Sequence, residues 1–178
     1  MISSKIQLVK FIFLDIDGVL NSSNSLEYNP SINYSLIHNG IDGSTFYEYN
    51  YELSKLDSKP IQLINSLVEQ TKSEIIISSD WRLGYSVGQL INFFARRAAT
   101  FKLHGMTPRI VGGNRPEEIE EYLDPFKDKR HFNLKYVILD DDRKYFRKSK
   151  CKDNFIHIDK NIGLTQKDID KAIEILNG

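Results

Sequence analysis

The sequence predicts an α/β fold built on a central parallel sheet, and three observations predict it. The apolar runs Phe11–Leu14, Ile75–Ile77 and Tyr136–Leu139 are rich in Ile and aromatic residues and too brief for helices, which reads as strands buried on both faces. Stretches with helical apolar spacing lie between them, so strand and helix alternate along the chain. Each run ends in polar groups: Asp15 and Asp17, then Ser78, then Asp140 with Asp141. In a parallel sheet these ends share one edge, the edge at which open α/β sheets bind ligands.

The first strand begins near Ile6 and runs through Phe11-Ile12-Phe13-Leu14 into Asp15-Ile16-Asp17-Gly18. Asp15 and Asp17 alternate with Ile16, so both carboxylates can face one side while Ile16 packs away. Gly18 permits a sharp turn and a close approach of backbone to ligand. From Asn21 to Lys59 the chain is rich in Asn, Ser and Tyr and poor in aliphatic residues. Residues 21–59 therefore read as a cap or flap insertion within a single domain of residues 1–178. Inside it, Tyr47, Tyr49 and Tyr51 alternate onto one face of an extended segment. They read as packing on the body, with stacking on a substrate ring as the alternative, and His38 is a further candidate for substrate contact.

Pro60 marks the first turn of a helix with Ile61, Ile64, Leu67 and Val68 as its apolar stripe. Glu74–Ile77 forms the next strand. Ser86 with Gln89 fits a capping box opening a helix whose inner residues are Val87, Leu90, Ile91, Phe94 and Ala98, with Arg96 and Arg97 toward solvent. Thr107–Val111 predicts a short strand before the Gly112-Gly113 break. Asn114-Arg115-Pro116-Glu117-Glu118 is a helix start, with proline early and acids in the positive first turn. Ile119, Tyr122 and Leu123 face inward, and Asp124-Pro125 ends the helix. Phe155–Ile158 is the last strand, and Thr165 caps a final helix with Ile169, Ile173 and Leu176 inward.

Bulk properties narrow the function. With 178 residues the chain can bury a full core. Its formal net charge is zero, so overall charge points to neither nucleic acid nor membrane. One cysteine, Cys151, excludes an intrachain disulfide framework and fits a reducing compartment. No stretch approaches the ~20 apolar residues of a membrane span, and the N-terminal apolar run is broken by Lys10. The expectation is a soluble cytoplasmic protein with no membrane partner; oligomeric state is left open.

Chemistry concentrates at the strand ends. Two carboxylates 4 Å apart repel by about 4 kcal/mol at an effective dielectric of 20. Several gathered at one edge call for a hard divalent cation, and oxygen ligands with bound water suit Mg²⁺, which typically also takes a substrate phosphate. A phosphate accounts for the other polar groups as well: Ser78 can donate to a phosphoryl oxygen, and Arg115 at a helix N-terminus can neutralise another.

These residues resemble a known family. Asp15-Ile16-Asp17-Gly18-Val19-Leu20 is similar to motif I of the haloacid dehalogenase-like (HAD-like) phosphohydrolases, Ser78 after Ile75–Ile77 to motif II, and Leu139-Asp140-Asp141 to the acidic motif IV. Arg115 matches the motif III cation, with Arg109 and Lys135 as alternatives. Ser78-Ser79-Asp80-Trp81-Arg82, Arg115-Pro116-Glu117-Glu118-Ile119 and Gly163-Leu164-Thr165 extend the likeness to the HAD domains of Swiss Army Knife RNA repair proteins. The resemblance implies a Rossmannoid three-layer sandwich and a phosphomonoesterase. Asp15 would be the nucleophile that forms an aspartyl-phosphate, and Asp17 the general acid and base. Asp15, Asp140 or Asp141, and the backbone carbonyl of Asp17, would face Mg²⁺, and Ser78 and Arg115 would hold the phosphoryl group.

Arg82 either reaches a substrate phosphate or forms a structural salt bridge. His104, His131 and His157 lack the paired spacing of a zinc site. Arg143–Lys152 carries six positive charges with Tyr145 and Phe146 among them, which reads as a solvated face or as a track for a nucleic-acid backbone. The implied partner is a phosphorylated substrate, either a small molecule or a nucleic-acid end with its 3′-phosphate. The alternative is a non-catalytic module that accepts phosphate on Asp15. Asp17 argues against it, because a phosphoacceptor domain has no need of an acid two residues further on.

Overall fold

The computed structural model describes residues 6–23 and 56–178. His38 and the alternating tyrosines 47, 49 and 51 lie outside the described residues.

Five strands form one parallel sheet: β1 (Gln7–Leu14), β2 (Glu74–Ile77), β3 (Leu103–Met106), β4 (Phe132–Asp140) and β5 (Phe155–His157), in the order β3-β2-β1-β4-β5. The helices are α1 (Ser58–Thr71), α2 (Val87–Ala95), α3 (Arg115–Leu123), α4 (Arg143–Phe146) and α5 (Gln166–Asn177). Parity along β1 divides the core. Ile12 and Leu14 join Ile75, Ile77, Val137 and Leu139 against α1, α2 and α5, while Phe11 and Phe13 join Ile76 and Ile138 against α3 and α4. Both faces of the sheet are covered, which explains why its central strands read as continuous apolar runs. The result is the three-layer α/β sandwich expected. Each fully buried Phe, Ile or Leu contributes about 1.5–3 kcal/mol, so the central strands are the best anchored part of the molecule.

Two elements differ from expectation. The third strand is Leu103–Met106, and Thr107–Val111 is irregular chain beyond it. Helix α1 begins at Ser58 with Asp57 in the extended N-cap conformation, which puts Pro60 in the first turn as expected. Helix α2 ends at Ala95, so Ala98 lies past it, and Phe93 rather than Ile91 is the inward residue. The capping boxes of Ser86–Gln89, Asn114–Glu117 and Thr165–Asp168 all form.

At the carboxyl edge the chain leaves β1 and returns within hydrogen-bond reach of its exit. The Asp57 N–H donates to the Leu20 carbonyl at 2.9 Å, and the 159–164 loop braces the same stem through Leu164 N–H to Val19 O at 3.0 Å and Ser23 N–H to Lys160 O at 3.0 Å.

Candidate active site

Register assembles the site. One step beyond the paired Leu139, Leu14, Ile77 and Met106, the backbone bonds Asp15 N–H to Leu139 O, Ser78 N–H to Leu14 O and Thr107 N–H to Ile77 O continue the sheet. Asp140, Asp15, Ser78 and Thr107 therefore form one row across four adjacent strands. All stand two residues after the strand positions that α3 and α4 cover, so the row lies at the same face.

Helix α3 supplies the counter-charge. Its first residue is Arg115, held there by the Asn114–Glu117 capping box and by Pro116. The Arg115 Nη1 donates to Asp15 Oδ2 at 2.7 Å and to Asp140 Oδ2 at 2.6 Å, so one guanidinium nitrogen bridges both acids. Asp141 adds a third carboxylate, and oxygens of Asp15, Asp140 and Asp141 all lie within 4.8 Å of one another.

Three acids face the Arg115 guanidinium, with Lys160 acting on Asp141, and the cluster is left short of positive charge. Burial raises the Asp15 carboxyl above its ordinary value, although Arg115 and the Ile16 N–H pull it the other way. Asp140 is pushed up to about 7 by burial and then by the charge of Asp15, against the opposing pull of Arg115. Burial raises Asp141 as well. For Arg115 burial acts downward, but Asp15 and Asp140 outweigh it and the guanidinium stays firmly charged. Clustered, partly desolvated carboxylate oxygens are the donor set of a hard cation, so Asp15, Asp140 and Asp141 fit Mg²⁺.

Asp17 is held apart from that cluster. The tight turn after β1 gives Gly18 a φ of 74°. There a Cβ would fall 2.6 Å from Asp141 Oδ2, so only glycine lets the turn lie against the acid. The Asp17 carboxylate turns the other way: Oδ2 accepts from the Trp81 indole Nε1 at 2.9 Å and Oδ1 from Asn21 Nδ2 at 2.9 Å. Asn21 Oδ1 in turn accepts the Gly18 N–H at 2.7 Å. Neither Trp81 nor Asn21 was identified from sequence as a partner of Asp17. The Trp81 contact joins positions 64 residues apart, which no local spacing reveals. For Asn21, which reaches back three residues to Gly18, the turn-forming Asp-Gly with an asparagine just after it was the available signal.

Other candidates sort by geometry. Of the three cations considered for motif III, Arg115 is the one that touches Asp15, whereas Arg109 lines a neighbouring cavity and Lys135 stands midway along β4. The Ser78 hydroxyl belongs to the row but is fully buried, with no partner among the described residues. The hydroxyl lining the acid cavity is that of Ser79, which also bonds the Asp15 carboxylate. The chain turns outward at Ser79, where the strand gives way to the Asp80–Leu83 3-10 turn, and that turn exchanges one serine for the next. The Arg82 guanidinium folds under the turn onto the Ser78 and Ser79 carbonyls at 2.9 and 2.8 Å and onto the buried Glu118 carboxylate, forming a buried salt bridge. Asp142 caps α4 by accepting the Lys144 N–H at 2.8 Å, and Asp140 accepts the Asp142 N–H at 2.8 Å.

A cavity of about 490 Å³ opens over Asp15, Asp17, Gly18, Ser79, Arg115 and Asp141. Beside it, α4 is anchored by the buried Phe146, stacked on Phe155 at 4.4 Å, and the six cations between Arg143 and Lys152 are exposed. Among the described residues, no helix is long and apolar enough to cross a membrane.

Comparison with curated proteins and with solved structures gives no match. Comparison with protein families does: residues 11–169 match the family described as the HAD domain in Swiss Army Knife RNA repair proteins. The match spans β1 to the first turn of α5 and takes in every acid of the cluster together with Arg115. The parallel sheet, the acid row and this match agree, and the chain belongs to the HAD domain family of Swiss Army Knife RNA repair proteins, within the HAD-like hydrolases.

Proposed function

We propose that this chain is a Mg²⁺-dependent phosphomonoesterase that works through an aspartyl-phosphate on Asp15 and acts on the phosphorylated end of a polynucleotide, the 3′-phosphate being the form expected. The observation that carries the reading is the Arg115 bridge between Asp15 and Asp140, with Asp141 completing the acid cluster and Asp17 held separately across the cavity. A bare cluster would repel a phosphate dianion. With Mg²⁺ held by Asp15, Asp140 and Asp141, the ion would supply charge neutralisation at the phosphoryl oxygens.

The chain's own residues then divide the work. Asp15 attacks phosphorus through a carboxylate oxygen while Arg115 neutralises charge on the transferring group. The bond from phosphorus to the leaving oxygen breaks, and that oxygen takes the proton of Asp17. The resulting Asp17 carboxylate then removes a proton from the water that hydrolyses the acyl phosphate, which restores both acids. An acid so placed serves hydrolysis, whereas a module that only stores phosphate has no use for it. The nucleic-acid part of the reading is supported by the family's repair proteins and by the exposed cations of residues 143–152, a run that starts next to Asp142 on the cavity wall.

The test is Mg²⁺-dependent phosphate release from a 3′-phosphorylated oligonucleotide and from p-nitrophenyl phosphate, with Asp15→Asn as control. Release from both, lost in the variant, is expected. Release from the aryl ester alone removes the polynucleotide substrate, and a variant as active as the parent removes Asp15 as nucleophile.

A further inference from the structure

We propose that Trp81 is a positioning residue: its indole N–H holds the Asp17 carboxylate where it can protonate the leaving oxygen. The inference rests on the acid role of Asp17 proposed above and adds a residue to it.

The two partners of Asp17 differ in kind. Asn21 sits on the same turn and moves with it, whereas Trp81 stands on the 3-10 turn that follows the neighbouring strand, β2. Trp81 is therefore the contact that fixes Asp17 relative to the rest of the sheet. Its own placement is heavily determined. The 3-10 turn that carries it is capped by Ser79, whose hydroxyl accepts the Trp81 N–H at 3.4 Å. Arg82 clamps the turn from below through the Ser78 and Ser79 carbonyls and Glu118. Trp81 is 8% exposed, and its ring packs against Tyr85 and Phe93, with centroids 5.8 and 6.0 Å away. A ring gripped this way presents its N–H in one direction, toward Asp17 Oδ2 at 2.9 Å.

Asp17, by contrast, is exposed. An exposed aspartate has three staggered χ1 wells, and without Trp81 only the Asn21 amide, carried on the same turn, would select among them. The indole suits the task because it is a donor only, with no lone pair or charge to offer. It can orient a carboxylate without taking part in its proton traffic.

The test compares Trp81→Phe with the parent on two phosphate esters. Phenylalanine keeps the ring packing and deletes the N–H. One substrate is an alkyl phosphate, whose leaving oxygen needs a proton; the other is 2,4-dinitrophenyl phosphate, whose leaving group does not. General acid catalysis is worth about 10²–10⁴-fold, and misplacing the acid forfeits part of that. The expected result is a fall in kcat/KM of about 10–100-fold on the alkyl ester and less than about threefold on the dinitrophenyl ester. In an Asp17→Asn background the same substitution causes no further loss. Equal falls on both esters, or an undiminished fall in the Asp17→Asn background, would show a structural effect and overturn the proposal.

A second readout needs no activity. Trp81 is the only tryptophan in the chain, so its emission reports the contact directly. Asp17→Ala is expected to shift the emission maximum and the acrylamide quenching of the folded protein, and unchanged emission would overturn the tie. A parent chain that releases phosphate from neither ester overturns the hydrolase reading, and the emission comparison then decides the tie independently.

Discussion

Replacing Asp140 by asparagine is expected to stabilise the metal-free protein at pH 8. The side chain is fully buried, and its two oxygens already accept from Arg115 Nη1 at 2.6 Å and from the Asp142 N–H at 2.8 Å. Even so, burial and the neighbouring Asp15 push it up to about 7. The sign of the linkage follows. Between the unfolded value near 3.8 and the folded value near 7, the folded chain binds more protons than the unfolded one, so stability falls as pH rises through that window and is flat above it. About three units at 1.36 kcal/mol each gives ~4 kcal/mol of destabilisation at pH 8. Asparagine is neutral throughout, and its Oδ1 can accept from Arg115, which keeps Asp15 as its ionic partner. Its Nδ2 then faces the Asp142 N–H, donor against donor, and losing that bond costs about 1–3 kcal/mol. The net expectation is a gain of about 1–3 kcal/mol at pH 8, or roughly 2–12 °C in Tm for a chain of this size. The gain should shrink to under about 1 kcal/mol at pH 5, where the parent carboxyl is already protonated. Thermal unfolding followed by circular dichroism in EDTA at both pH values measures it. A variant less stable than the parent at pH 8, or a difference that ignores pH, would refute the reasoning.

The same electrostatics sets the response to metal: millimolar Mg²⁺ should raise the Tm of the parent more at pH 8 than at pH 5.5, and hardly at all in Asp140→Asn, as read by melts with and without the ion. Gly18→Ala places a Cβ 2.6 Å from Asp141 Oδ2 at a φ of 74°, so a stability loss of about 1–3 kcal/mol in urea is expected, with a smaller Mg²⁺ shift because Asp141 must move. Arg82→Met strands Glu118 as a buried charge and should cost about 3–5 kcal/mol, most of it recovered in Arg82→Met/Glu118→Leu. A single variant within 1 kcal/mol of the parent in urea unfolding would contradict that structural role. Ser78→Ala removes a buried hydroxyl without a partner and should leave stability within about 1 kcal/mol of the parent in the same assay.

What could be read from sequence was what local pattern encodes. Phe11–Leu14 and Tyr136–Leu139 announce central strands because both of their faces are covered, and the acids at their ends follow from where such strands stop. Arg115 was legible because Asn114, Pro116 and Glu117 mark a helix start whose first residue faces the same edge. The third strand was not. Leu103-His104-Gly105-Met106 has neither β-branched residues nor clean alternation, and its pairing shifts register between Ile75 and Ile76. Thr107–Val111 carries better strand composition but lies past the end of the sheet partner that would pair with it. Ile91 and Phe93 exchanged roles for a similar reason. Helix α2 is short, and its rotation is set by the aromatic contacts of Phe93 with Tyr85 and Trp81, which sequence spacing does not contain. Arg82 and Ser78 show where local pattern stops: residue type carries no sign of the 3-10 turn that folds the Arg82 guanidinium beneath the chain, nor of the enclosure of the Ser78 hydroxyl.

The acid cluster also explains why the site stands on the middle of the sheet. Asp15 and Asp140 are register neighbours on adjacent parallel strands, so their separation is imposed by the strand spacing of about 4.8 Å and cannot relax by side-chain rotation alone. A loop bearing the same charges would open and lower its repulsion. Here opening would require pulling apart β1 and β4, whose residues Phe11, Ile12, Phe13 and Leu14 are essentially without exposure and pair along their whole length with Tyr136–Leu139. The hydrophobic free energy of those strands holds the carboxylates together, and Arg115, fixed by a helix cap, offsets part of their repulsion. On the reading proposed above, the cation preference would originate in backbone pairing, and substitutions in β1 that loosen its packing should weaken metal binding before they unfold the chain.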